Sequence, residues 1–67
     1  MDNLVEVCTL NKGDEFTIPE DSNHETYIYE GISPNNKLEV KAIRNSGFAT
    51  TYFPRYRKVY KINVTHN

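Results

Sequence analysis

Three side chains of this 67-residue chain could bind a soft metal or begin nucleophilic chemistry: Cys8, His24 and His66. A zinc site needs three or four ligands gathered into one tetrahedron, and no two of these residues fall at the short spacings such sites use. Cys8 lies in the run Leu4-Val5-Glu6-Val7-Cys8-Thr9-Leu10, where apolar surroundings keep a thiol inert. His24 stands among acids and amides and His66 is next to the last residue, so no nucleophile with its base is specified. Asp14 and Glu15 are adjacent and point to opposite faces of an extended strand, which does not make a paired-carboxylate site. The expectation is a non-enzymatic protein without metal or cofactor.

Binding chemistry has two sources. The stretch Glu20-Asp21-Ser22-Asn23-His24-Glu25 contains no apolar residue and is followed by Thr26-Tyr27-Ile28-Tyr29. Carboxylates at Glu20, Asp21 and Glu25 would steer a basic protein partner, and exposed rings at Tyr27 and Tyr29 would give contact area at low entropy cost. The second source is Arg55, Tyr56, Arg57, Lys58 and Lys61, interleaved with Tyr52 and Tyr60, a strip suited to phosphates and stacked bases. A plainer reading has those cations pairing with acids such as Glu6 and Asp14 as weak surface ion pairs.

Charge is divided along the chain. Residues 1–33 hold eight acids against the single base Lys12, and residues 34–67 hold seven bases against the single acid Glu39. This division makes either a bipolar surface or mutual neutralisation between neighbouring strands, and in so small a domain the ends of the chain lie close enough for the latter. The net charge of −1 opposes a dedicated nucleic-acid binder, whose domain is clearly basic. A protein partner is therefore the favoured reading, with nucleic acid as the alternative.

The elements that must carry these groups are short strands. Residues 4–10 read as a first strand, Asn11-Lys12-Gly13-Asp14 as a turn, and residues 15–18 as a second strand with Phe16 and Ile18 on one face. Residues 26–32 form a third strand whose tyrosines share one face and whose isoleucines share the other. Ser33-Pro34-Asn35-Asn36 is turn chemistry. Leu38, Val40 and Ala42 alternate with Lys37, Glu39, Lys41 and Ile43 in a fourth strand, and Asn45-Ser46-Gly47 makes a hairpin connection. A fifth strand runs over 48–53, a sixth over 59–64, with Phe53, Ile62 and Tyr60 directed to the core. No helical periodicity appears, so the expected fold is all-β, one small antiparallel barrel of five to six strands spanning residues 1–67.

Two segments resemble the Src-homology-3 (SH3) family and its bacterial and phage SH3-like relatives. Leu10-Asn11-Lys12-Gly13-Asp14-Glu15-Phe16-Thr17-Ile18 is similar to the family's diverging turn. Gly47 followed by Tyr52-Phe53-Pro54-Arg55-Tyr56 and Val59 is similar to the segment that closes such barrels through a single turn of tight helix. Together they cover about a third of the chain. The resemblance implies an SH3-like barrel. With only nine residues before Leu10, no Trp in the chain and Tyr56 two residues after Pro54, it does not extend to proline-rich peptide recognition.

The 67 residues make one domain with a small core, and a single cysteine excludes an internal disulfide. The polar Met1-Asp2-Asn3 start is unlike a signal peptide and no apolar run approaches a membrane span, so a cytoplasmic protein without membrane attachment is expected. Size and the Asn-, Lys- and Tyr-rich composition fit an accessory or regulatory protein of a phage or mobile element. An exposed edge strand would allow a homodimer.

Overall fold

A computed structural model describes residues 4–62. Met1, Asp2, Asn3, the expected continuation of the last strand through Val64 and His66 lie outside the described residues. Strands β1 (Leu4–Glu6), β2 (Glu15–Thr17), β3 (Thr26–Ile32), β4 (Glu39–Arg44), β5 (Thr50–Pro54) and β6 (Lys58–Ile62) form one antiparallel sheet in the order β1-β6-β2-β3-β4-β5. The sheet curls into a half-barrel, so the chain has the all-β, small-barrel architecture expected of its turn spacing.

Period-two alternation builds the core. Phe16 on β2 lies opposite Tyr27 on β3, Tyr29 opposite Ala42 on β4, and Val40 opposite Phe53 on β5. These inward positions, with Val7, Leu10, Ile18 and Val59, enclose the hydrophobic cluster, in which Phe16, Val7, Val40 and Val59 are fully buried. From the buried Phe16 a contact of three rings reaches outward to the partly buried Tyr27 and Phe53. Phe16 stacks on Tyr27 at 5.6 Å between centroids, and Phe53 meets both edge-on, at 5.8 Å from Phe16 and 5.1 Å from Tyr27. Offset and edge-to-face contacts place the positive ring edge on the negative face, which adds to the burial of the rings.

Several local expectations are corrected. The first strand does not run through residues 4–10: after Glu6 the chain makes one 3-10 turn at Val7–Thr9, closed by the Leu10 N–H on the Val7 carbonyl at 3.2 Å. Residues three apart eclipse in such a turn, which lets both Val7 and Leu10 enter the core; a strand would have sent one of them outward. The helical turn expected after Pro54 is instead a two-residue turn, the Arg57 N–H donating to the Pro54 carbonyl at 3.0 Å. Leu38 is not an inward strand residue but 66% exposed, because Asn36 accepts from the Leu38 and Glu39 N–H groups and holds the chain in a turn until Glu39.

The face of β6 is also reversed. Val59 faces the core opposite Val5, and period two then turns Tyr60 and Ile62 to the outer face, opposite Thr17 and Glu15. In β3 a bulge between Tyr29 and Gly31 shifts the register against β4, and Gly31 takes φ 112°, which a side chain would strain. The β4–β5 hairpin carries both Gly47 (φ 82°) and Phe48 (φ 58°) in left-handed backbone, and Phe48 is 74% exposed.

Candidate functional site

The acidic connection between β2 and β3 is held by its own carboxylate. Asp21 Oδ1 accepts the Asn23 N–H at 2.9 Å and Oδ2 the Glu25 N–H at 3.1 Å, while the Asp21 N–H donates to the Ile18 carbonyl at 3.1 Å. An aspartate that accepts backbone donors two and four residues on replaces the ladder that this stretch lacks. Glu25 Oε2 accepts the Ser46 N–H at 3.2 Å and so ties the loop to the tip of the β4–β5 hairpin.

Beneath the loop lies a groove of about 390 Å³. Ile18, Tyr27 and Phe53 supply its apolar part, Glu20, Asp21, Asn23 and Glu25 one polar side, and Arg44 another. The Arg44 Nε donates to the Ser46 carbonyl at 2.9 Å. Three carboxylates against one guanidinium leave the groove with a negative balance. Burial raises the Tyr27 hydroxyl above its ordinary value, the charges of Asp21 and Glu25 raise it further, and Arg44 works the other way. Tyr27 therefore stays protonated as a hydrogen-bond donor at neutral pH.

Four of the five residues expected to bind protein, Glu20, Asp21, Glu25 and Tyr27, thus converge on one groove. Tyr29 does not join them. It is 4% exposed in the core, and the expectation that both tyrosines stand out on the surface is corrected: the β3 register places their shared face inward, with Tyr27 half-buried against the core. Ile18, Phe53 and Arg44 also line the groove and are not among the binding residues expected from the sequence. For Phe53 the signal is its alternation with the outward Tyr52 on β5; Arg44 gives none, because reaching the groove depends on the pairing of Tyr27 with Arg44 across β3 and β4.

The basic segment is organised differently. Arg55 lies over the Tyr56 ring at 4.7 Å and donates to the Tyr56 hydroxyl and the Lys37 carbonyl, while its Nε is buried without a partner among the described residues. Arg57 pairs with Glu20 across 37 positions of sequence. Lys61 lies 3.8 Å from Asp14, and Lys58 stands opposite Glu6 in the β1–β6 register. Cys8 is half-buried beside this region, its N–H donating to the Arg55 carbonyl at 3.1 Å. Of the expected nucleic-acid strip, Arg57 and Lys61 are thus in ion pairs with the chain's own acids and Arg55 is folded onto Tyr56.

No protein-family model matches the chain, and neither a curated protein nor a solved structure was found similar to it. Among the described residues no helix is long and apolar enough to cross a membrane.

Proposed function

We propose that this chain is a non-catalytic protein-binding module whose groove between the β2–β3 loop and the β4–β5 hairpin receives a lysine or arginine side chain of a partner. The observation that carries this reading is the juxtaposition of Glu20, Asp21 and Glu25 with the apolar residues Ile18, Tyr27 and Phe53 around one concavity. A long cationic side chain has the matching form, an apolar stem that packs on rings and a charged head that seeks carboxylates. Asp21 serves mainly to shape the loop; Glu20, shared with Arg57, and Glu25, one of whose oxygens accepts the Ser46 N–H, are the rim charges that meet the ligand. The single Cys8 is in keeping with a cytoplasmic setting, and small size with an accessory role.

The test is fluorescence anisotropy of a labelled arginine-rich peptide at low and high salt. Binding is expected to weaken with salt, as exposed charges are screened, and to weaken about tenfold in the combined Glu20→Gln, Glu25→Gln variant. Gln at 25 keeps an acceptor for the Ser46 N–H, so the loop is preserved. Equal affinity in the variant, or preference for an acidic peptide of the same length, would sink the proposal.

A further inference from the structure

The β5 edge differs from the rest of the surface. Residues 45–54 carry no charge, in a chain of which 25% is charged. Soluble proteins ordinarily guard an edge strand with charged side chains, a bulge or a covering segment, because its outward amide groups template another strand. Among the described residues β5 pairs only with β4, and its one guard is Pro54 at the end.

The ladder determines which backbone groups face outward. The Arg44 N–H donates to the Ala49 carbonyl at 2.8 Å and the Arg55 N–H to the Leu38 carbonyl at 2.9 Å, in the register that sets Ala42 opposite Thr51 and Val40 opposite Phe53. Hydrogen-bonded and non-hydrogen-bonded pairs alternate along an antiparallel ladder. Ala49, Thr51 and Phe53 therefore turn their N–H and C=O groups to β4, and Thr50 and Tyr52 turn theirs away from the sheet. Pro54 has no N–H, and its carbonyl is taken by Arg57. The edge thus offers four groups, the N–H and C=O of Thr50 and of Tyr52, on residues that are both exposed.

We infer that β5 pairs antiparallel with β5 of a second copy of this chain, about a two-fold axis at Thr51. This register sets Thr50 of each copy opposite Tyr52 of the other, so all four outward groups of each strand gain a partner. A shift one way would put Pro54 opposite Thr50 and leave the Thr50 carbonyl without a donor. A shift the other way would bring Phe48, which is out of extended backbone at φ 58°, opposite Tyr52. The pairing is isologous, as a two-fold dimer requires, and the neutral strand meets its copy without like-charge repulsion. On the outer face each Tyr52 lies against a Thr50, an aromatic on a β-branched side chain.

The test is sedimentation velocity of the full chain from about 1 μM to about 1 mM, with amide hydrogen exchange over the same range. The expected result is reversible association to twice the chain mass, with Thr50 and Tyr52 slowing as concentration rises while Thr51 and Phe53 are slow throughout. Thr50→Lys with Tyr52→Lys sets like charges opposite one another and is expected to raise the dimer dissociation constant at least about tenfold. Thr50→Glu with Tyr52→Lys sets opposite charges together and is expected to restore it. A monomer throughout, a dimer in which exchange at Thr50 and Tyr52 does not respond, or equal behaviour of the two charge variants would overturn the inference. If the variants fail to fold, the exchange profile of the natural chain decides it. The groove reading is independent, since neither Thr50 nor Tyr52 lines the groove.

Discussion

The acidic loop over residues 20–25 and the basic segment over 55–61 are similar in length and opposite in charge, yet the fold treats them differently. The carboxylates of Glu20, Asp21 and Glu25 stand around a concavity with rings in it. The cations of the basic segment lie along the chain's own surface, with Arg57 on Glu20, Lys61 near Asp14 and Arg55 on Tyr56. A run of charge becomes a candidate site when the backbone gathers it around an apolar hollow. Spread along a strand opposite complementary charge, it becomes a solvated edge.

The largest way to break this comparison is to remove what both regions rest on. Phe16 is fully buried and touches Tyr27 and Phe53, and Phe16→Ala is expected to cost about 3–5 kcal/mol. A chain of this length has only about 3–10 kcal/mol in all, so the variant should be largely unfolded by circular dichroism, losing the groove and the cross-strand ion pairs together.

The next effect separates the groove from its surroundings by pH. Burial raises the hydroxyls of both Tyr27 and Tyr29, with Asp21 and Glu25 adding at Tyr27 and Cys8 at Tyr29. A proton held more tightly in the folded state contributes stability that is complete below the ordinary tyrosine value of about 10 and is lost as pH rises through the folded values. Urea midpoints should therefore be level from about pH 8 to about pH 9.5 with respect to these groups and fall above about pH 10. Tyr27→Phe should make that fall shallower, and an unchanged slope would show that the groove does not perturb this hydroxyl.

The smallest effect sharpens the comparison. Arg57 and Glu20 join the two regions through a side chain 36% exposed and another 74% exposed. Arg57→Gln should change stability by less than about 1 kcal/mol, as exposed pairs do. It releases Glu20 to the groove, so affinity for a cationic peptide should rise rather than fall.

Much of the sheet was legible in the sequence because its signals are local. Alternation of Val40 and Ala42, the run Thr26 to Ile32 bounded by polar loops, and the glycines and prolines of the turns each act within a few residues. What was not legible depended on partners distant in sequence. Tyr27 and Tyr29 could be assigned to one face but not to the inside, because that requires knowing that Phe16 lies opposite Tyr27. Tyr60 and Ile62 were turned outward by a one-residue difference in register that only the pairing of Val59 with Val5 fixes. The acidic residues of the groove were visible as a run, whereas Phe53 and Arg44 reach it from β5 and β4.

Chemical-shift mapping of the labelled protein, titrated in parallel with an arginine-rich peptide and with a single-stranded oligonucleotide, tests the central claim most directly. The account predicts peptide-dependent shifts at Ile18, Asp21, Glu25, Tyr27, Arg44 and Phe53, reduced by salt, with little response to the oligonucleotide. Oligonucleotide-dependent shifts concentrated on Arg55, Tyr56, Arg57, Lys58 and Lys61, with none around the groove on adding peptide, would contradict it.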